Sequence, residues 1–535
     1  MKKKAIAWML FLAMTAALLG GCQMTDSSAP APAAEPAAAA EVTEEAEEAG
    51  TEAAAEEEKD VTELDLFINF TWFPTEEWSG IIPEALTEGG GVRFNITRAA
   101  DSSQLGVMIA SGELPDVIFT KEVDRMCDPE LCWGYDELIE KYNTGWQPPE
   151  EKIQIARGHN VNPDDEHYYT LKQNYSTAED FAASPINTPN AVGTNYRRDI
   201  YEALGSPEMN TLEDYVKVLE MVKEQYPEMI PFGVGTSLDF INFEVYYDLE
   251  YDYAYESDGS VKLKYTLDRY QDYCRFVNEL YRKGLFRAED LAIDDADGTP
   301  LIYGGQVFSY AEMIRPSKLT AYQTELQKNV PDGVLAYMPI PDDAAEQIHW
   351  VNTGWAGVFI SRNCKDPEAA IRMVEYLNSE EARHLALWGR EGIDYTLDEN
   401  GLPVWSEEWI ETQADANLMT KKYNNNFYMC TTELDENTVY YSGISDEYLK
   451  DYNKNTDRFV IDPKLMLIAP NSTSDEGIAK AKIMEAVPAE LVKVYTAATE
   501  EQFEEEYQNL QDLLVKMGVE ELNAAATERM EALNN

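Results

Sequence analysis

The chain is poor in the residues from which catalytic and nucleic-acid-binding sites are built. It has four histidines, His159, His167, His349 and His384, scattered without metal-ligand spacing. No G-x-S-x-G, H-E-x-x-H or G-x-x-x-x-G-K-[ST] motif occurs. Basic residues are scarce: 42 Lys plus Arg stand against 99 Asp plus Glu, a net charge of -57. Such a surface repels nucleic acid and anionic lipid and favours a neutral or cationic ligand over the average of the surface. Internal repeats are absent, which argues against a repeat-built adhesin. Cysteine is also sparse. Beyond Cys22 there are Cys127, Cys132, Cys274, Cys364 and Cys430, an odd set that allows two disulfides at most. CDPELC (127–132) is the one close pair; it reads as packing residues or a short-loop disulfide. No second pair completes a zinc site, so no metal is expected.

What is present begins with Lys2, Lys3 and Lys4, an apolar run from Ala5 to Leu19, and then LLGGCQ (18–23). The run is short for a bilayer span and has the charged front of a secretory leader. Leu19, Gly20 and Gly21 before Cys22 resemble the bacterial lipobox, in which the cysteine thiol is lipid-modified. That resemblance implies a signal peptide over 1–21 and lipidation at Cys22, a protein held to the cell membrane on its extracytoplasmic face. No second apolar run approaches transmembrane length. Residues 23–60 hold 12 acidic residues against Lys59 alone, and they lack aromatics. Residues 22–60 therefore read as a disordered acidic Ala/Glu/Pro tether.

The body opens with LDLFINF (64–70), GVRFNITRA (91–99), a helix at QLGVMIASG (104–112) and PDVIFT (115–120). Alternating strands and helices of this kind mark βαβ units. EGGGV (88–92) leads into a strand rather than out of one, the reverse of a dinucleotide loop. Two later helices are well punctuated. Thr211 and Asp214 have capping-box spacing before Leu212, Tyr215, Val216, Leu219 and Val222. Asp366 and Pro367 form an N-cap and first helical residue, with Ala370, Ile371, Val374 and Leu377 facing inward. Strands are expected at LIYGGQVFSYA (301–311), GVLAYMPI (333–340) and GVFIS (357–361), and helices from about 475 onward.

MIASGELPDVIFT, YRRDIYEALGSPEMNTLEDYVKVL, NTGWAGVFISRNCKDPEAAIRMVEYLNSEEA and WGREGIDYTLDENG resemble, in order, segments of the extracellular solute-binding lipoproteins of ABC sugar importers. LQDLLVKMGVEELNAAATERMEA is similar to that family's closing helices. The resemblance implies a two-lobed α/β fold of the periplasmic-binding-protein type II class, with a hinge and a helical C-terminal extension. It divides the chain into a first lobe from 61–190, a second from 191–345, a return to the first over 346–420, and completion of the second over 421–535. It also implies a carbohydrate ligand, most simply an oligosaccharide, ABC permease subunits as partners, a monomer, no nucleic acid, no cofactor and no enzymatic activity. A secreted hydrolase using paired carboxylates is the alternative. Several relatives carry a calcium loop before the segment matching IPFGVG (230–235), but KEQYPEMIPFG lacks its alternating acids. TLDENGLPVWSE (396–407) mimics an EF-hand but begins with Thr396, so calcium is not expected there.

Ligands of open α/β sheets lie beyond the carboxyl ends of the strands. That places Asn69, Thr71 and Trp72 after the first strand, and Thr120 after the third. Trp355, in NTGWAG (352–357), enters GVFIS. A sugar has apolar C–H faces for an indole and a rim of hydroxyls for polar side chains. Candidate ligand-binding residues are therefore Asn69, Thr71, Trp72, Thr120 and Trp355. Asp116, Tyr310 and Glu391 join them as weaker members, Asp116 having an alternative role on backbone amides. Glu391 lies with Trp388 and Asp394 in the polar turn WGREGIDY.

Overall fold

The computed structural model describes residues 61–534, except 185–191, 235–242, 293–294, 314–315, 351–352, 414, 426–428, 430, 442–453, 455 and 472–473. Cys22 and the 22–60 tether lie outside the described residues, as do Cys430 and Asn352. No helix among the described residues is long and apolar enough to cross a membrane.

The first lobe opens with β1 (Thr62–Ile68), a helix at Ile81–Gly90, β2 (Val92–Arg98), a helix at Gln104–Ser111 and β3 (Val117–Thr120). β1 lies between β2 and β3 and is parallel to both. Leu64, Leu66, Phe67 and Ile68 are all buried, as expected of a strand covered on both faces. β4 (Lys172–Gln173) completes this first passage.

The chain then builds the second lobe from β5 (Val192–Arg197), β6 (Ile230–Val234), a hairpin of β7 (Tyr253–Tyr255) and β8 (Val261–Leu263), β9 (Val307–Met313) and β10 (Leu335–Tyr337). After β11 (Ile348–Trp350) it returns with β12 (Ala356–Ile360) and a hairpin of β13 (Tyr395–Leu397) and β14 (Pro403–Trp405), then leaves again through β15 (Phe459–Ile461). The first sheet has the order β2-β1-β3-β12-β4 and the second β10-β5-β9-β6. β12 runs antiparallel to its neighbours, so the returning segment enters the first sheet from the edge where β1 and β3 end. β11 pairs in parallel with β15, joining the segments on either side of the return.

Each sheet has its own core. Leu66, Ile68, Phe70, Val117, Val358 and Ile371 pack together in the first. Tyr215, Phe232, Phe276 and Phe308 pack in the second, joined by Val494, Phe503, Leu510 and Leu522 from the helices Asp475–Tyr495, Glu500–Lys516 and Val519–Asn534. The C-terminal helices are thus part of the second lobe's interior.

The expected caps are formed. Thr211 accepts from the Asp214 N–H at 3.1 Å. Asp366 accepts from the Ala369 N–H at 3.0 Å, with Pro367 opening the helix. One segment differs. Leu301–Tyr303 end a helix that starts at Asp295, and strand begins only at Val307. The Gln306 N–H closes that helix on Leu301 O at 2.9 Å, and Gly305 turns the chain at φ +69. An apolar triplet before paired glycines is here a helix end, a case in which periodicity does not separate helix from strand.

Asn278 holds the second lobe to its C-terminal helices. It is fully buried in the helix Asp268–Arg282, and its Nδ2 reaches the carbonyls of Val494, Tyr495 and Ala497 at 3.3, 3.0 and 2.8 Å. These carbonyls belong to the last turn of the helix Asp475–Tyr495 and the residues just after it. Asn278→Ala is expected to lower stability by about 2 kcal/mol. A urea denaturation midpoint shifted down at unchanged slope is the readout; an unmoved midpoint contradicts it.

Candidate ligand cleft

β1 and β3 are in parallel register, Ile68 beside Phe119, and so end at one edge of the sheet. β12 begins there, with Gly357 opposite Thr120. At this edge the Asn69 N–H donates to Phe119 O at 2.9 Å. Its side-chain Nδ2 donates to Thr120 Oγ1 at 3.0 Å and to Glu122 Oε1 at 2.9 Å. Thr120 is fully buried, and its hydroxyl also accepts from the Glu122 N–H at 3.1 Å. Asn69 and Thr120 thus pin the two strand ends together.

Beyond the pin the chain places aromatics. Phe70 is buried, with ring centroids of Trp72 at 5.3 Å and of Trp355 at 5.1 Å. The two indoles are 6.0 Å apart and inclined by 40°. Trp72 is 56% exposed, so a large apolar face is turned to solvent, with exposed Thr71 beside it. Trp355 is half-buried. Its entry to β12 depends on Gly354, which has φ +76 and where a Cβ would fall 2.2 Å from Gln173 O. Only glycine allows that approach.

A polar chain that sequence reasoning missed lies next to Trp355. Lys172, on β4, neighbours Gly357 in the sheet. Its Nζ is 3.3 Å from His159 Nε2 and 3.5 Å from Thr353 Oγ1, and His159 Nδ1 is 2.5 Å from Asp124 Oδ1. An ammonium only donates, so Nε2 accepts and the imidazole proton sits on Nδ1, donating to Asp124. Burial lowers the His159 pKa against the pull of Asp124, which suits this neutral form. Burial also brings Lys172 down to about 8, with Asp124 and Cys127 opposing.

Lys121, Glu122, Asp124, Arg125, His159 and Lys172 line a recess of ≈ 390 Å³ beside Trp355. Asp124, His159 and Thr353 also face Leu467, Asn471 and Met484 of the second lobe across a recess of ≈ 260 Å³. The site therefore sits where the lobes meet. Position after β3 is the signal that could have flagged Asp124 and Lys121. Nothing local marks His159 or Lys172, which lie 35 and 48 residues further along the chain from Asp124.

Three candidates are not brought to this cluster. Asp116 stands at the opposite end of β3, where Oδ2 accepts from the Asp65 N–H and Oδ1 from the Lys365 N–H, both at 2.8 Å. Tyr310 is buried within the second lobe, stacked on Tyr322 at 5.7 Å. Glu391 is exposed in a turn before β13, near buried Trp388 and the Arg390–Asp394 ion pair. Cys127 and Cys132 are separate buried thiols in the first lobe rather than a disulfide, and burial raises both pKa values.

Residues 396–407 form the β13–β14 hairpin and the start of the next helix. Asp398 Oδ1 accepts from the Asn400 and Leu402 N–H groups at 2.8 Å each, so it closes the turn. Among the described residues no group of three His, Cys, Asp or Glu side chains is placed to hold a metal. The melting temperature is accordingly expected to stay unchanged when EDTA and then calcium are added. A calcium-restored rise in differential scanning fluorimetry would reveal a metal site.

No family model and no curated protein sequence matches the chain. Solved structures do. An extracellular solute-binding protein from Bifidobacterium longum subsp. infantis superposes with a TM-score of 0.64 at 14% identity, covering 88% of this chain and 98% of its own. The S. pneumoniae ABC-transporter substrate binding protein FusA, in complex with kestose, gives 0.61 at 16%, covering 88% and 99%. The alginate-binding protein AlgQ2, without calcium ion, gives 0.60 at 16%, covering 89% and 99%. At these identities the likeness concerns architecture: the chain has the two-lobed α/β fold of the extracellular solute-binding proteins of ABC transporters.

Proposed function

We propose that this protein captures an oligosaccharide between its two lobes and delivers it to an ABC importer, held to the extracytoplasmic face of the membrane by lipid on Cys22. The observation that carries this reading is the pair Trp72 and Trp355, set on buried Phe70 at the ends of strands. Core packing does not require an indole 56% exposed. A sugar does: its C–H face stacks on the ring while its hydroxyls meet polar groups at the rim. Thr71 and the polar recess beside Trp355 supply that rim. Neighbours sharing the fold include an "HMO binding" solute binding protein and one in complex with kestose, which supports a carbohydrate ligand. The protein acts as a monomeric receptor, without cofactor, metal, nucleic acid or catalytic step, and its partner is the permease.

Burying one sugar face on an indole contributes about 2 kcal/mol, by analogy with a buried apolar side chain. Trp72→Ala and Trp355→Ala are each expected to weaken the best ligand of a glycan array about 30-fold in titration calorimetry, without loss of fold. Wild-type protein should also shift its tryptophan fluorescence and shrink in solution scattering on binding. If both variants bind as tightly as wild type, the cleft is elsewhere.

The anchor has its own test. Cys22→Ser is expected to move the protein from the detergent phase to the aqueous phase at unchanged ligand affinity. Retention of the variant in the detergent phase contradicts lipid attachment.

A further inference from the structure

Lys172 is a buried cation whose hydrogen-bond partners, His159 Nε2 and Thr353 Oγ1, are both neutral. A buried ammonium is normally matched by a carboxylate, because dipoles alone replace its hydration poorly. The two acids of the same recess are engaged otherwise. Glu122 accepts from Asn69 and pairs with Arg125 at 3.2 Å, and Asp124 accepts from His159. The imidazole stands between Asp124 and Lys172 and separates their charges. Lys121, exposed on the same wall, forms no ion pair with a carboxylate among the described residues. The recess beside Trp355 thus has a positive balance in a chain of net charge -57. The remaining surface does not cancel this, since charges farther off than about 8 Å are screened at physiological salt.

Resting on the sugar-binding reading above, we propose that the recess beside Trp355 takes the carboxylate of an acidic sugar onto Lys172, with Lys121 at the rim, so that the captured oligosaccharide carries uronic or sialic acid. The placement suits such a ligand. Trp355 receives the ring face, and Lys172, on the strand next to β12, lines the same recess. One carboxylate carries one charge, which matches one buried ammonium that has no carboxylate in direct contact. Asp124 orients His159, which in turn accepts from Lys172, so the cation is preorganised before the ligand arrives.

The test uses the full chain and a panel of uronate- and sialic-acid-containing oligosaccharides, each paired with its carboxyl-reduced, uncharged counterpart. Titration calorimetry is expected to find at least one acidic member whose reduced partner binds about tenfold more weakly, as for a lost hydrogen bond to a charged group. Affinity for the acidic member should fall as sodium chloride is raised, and affinity for neutral members should not. Lys172→Gln should abolish the difference within the pair, and Lys172→Arg should keep part of it. If Lys172→Gln does not fold, the wild-type pair difference and salt dependence decide, together with exposed Lys121→Gln, which should flatten the salt dependence. Equal binding within every pair overturns the proposal while leaving sugar capture intact, provided the neutral members bind through Trp72 and Trp355. An acid preference that survives Lys172→Gln also overturns it. Failure of every glycan to bind removes both readings.

Discussion

Phe70 is the residue on which both indoles rest. It is buried because β1 continues past its last ladder bond into the core, where it also meets Phe119 at 5.1 Å. Trp72 and Trp355 come from strands that meet at one sheet edge, and without Phe70 between them they would share no common support. The arrangement follows from topology. Two parallel strands ending in register leave one edge rich in chain ends, and an antiparallel strand starting there adds a third. The Asn69–Thr120 bond keeps that edge from fraying, so that a large apolar face can remain outside the core at a fixed angle.

The first lobe was legible in sequence where burial sets the pattern. The run from Leu64 to Phe70 and the alternation of Val92, Phe94 and Ile96 reflect strands buried on two faces or on one. Helix starts at Thr211 and Asp366 were legible because caps act over three residues. LIYGG was misread because three apolar residues before a turn satisfy either period. Trp72 and Trp355, singled out for their place after and before strands, do come together at one sheet edge. Asp116, at the same strand's other end, shows the limit of that rule: it needs the direction of the strand as well as proximity to it.

Asp124, His159 and Lys172 were not legible, for a different reason. Their association is created by β4, a two-residue strand that no periodicity can mark, and by a loop following the helix Glu150–Arg157. Each is ordinary in its local sequence. The relation between them is a product of the finished sheet, in which β4 is brought beside β12 from nearly two hundred residues away. Composition speaks only to the average surface: a strongly acidic chain suggests a neutral or cationic ligand, while the sign of one recess depends on which few side chains the fold gathers around it.

The parallel pairing of β11 with β15 bears on how two such lobes move. The chain passes between the cores three times: between Leu171 and Tyr196, between Trp350 and Ala356, and between Met429 and Phe459. The last two passages begin or end on strands that are hydrogen-bonded to one another, and the Asp462 N–H extends the ladder to Trp350 O at 3.0 Å. A single covalent link is a swivel with several free rotations. Two links clamped side by side behave as a strap, stiff against twist and shear and soft in one bending direction. The closure proposed for ligand capture would then follow a single coordinate.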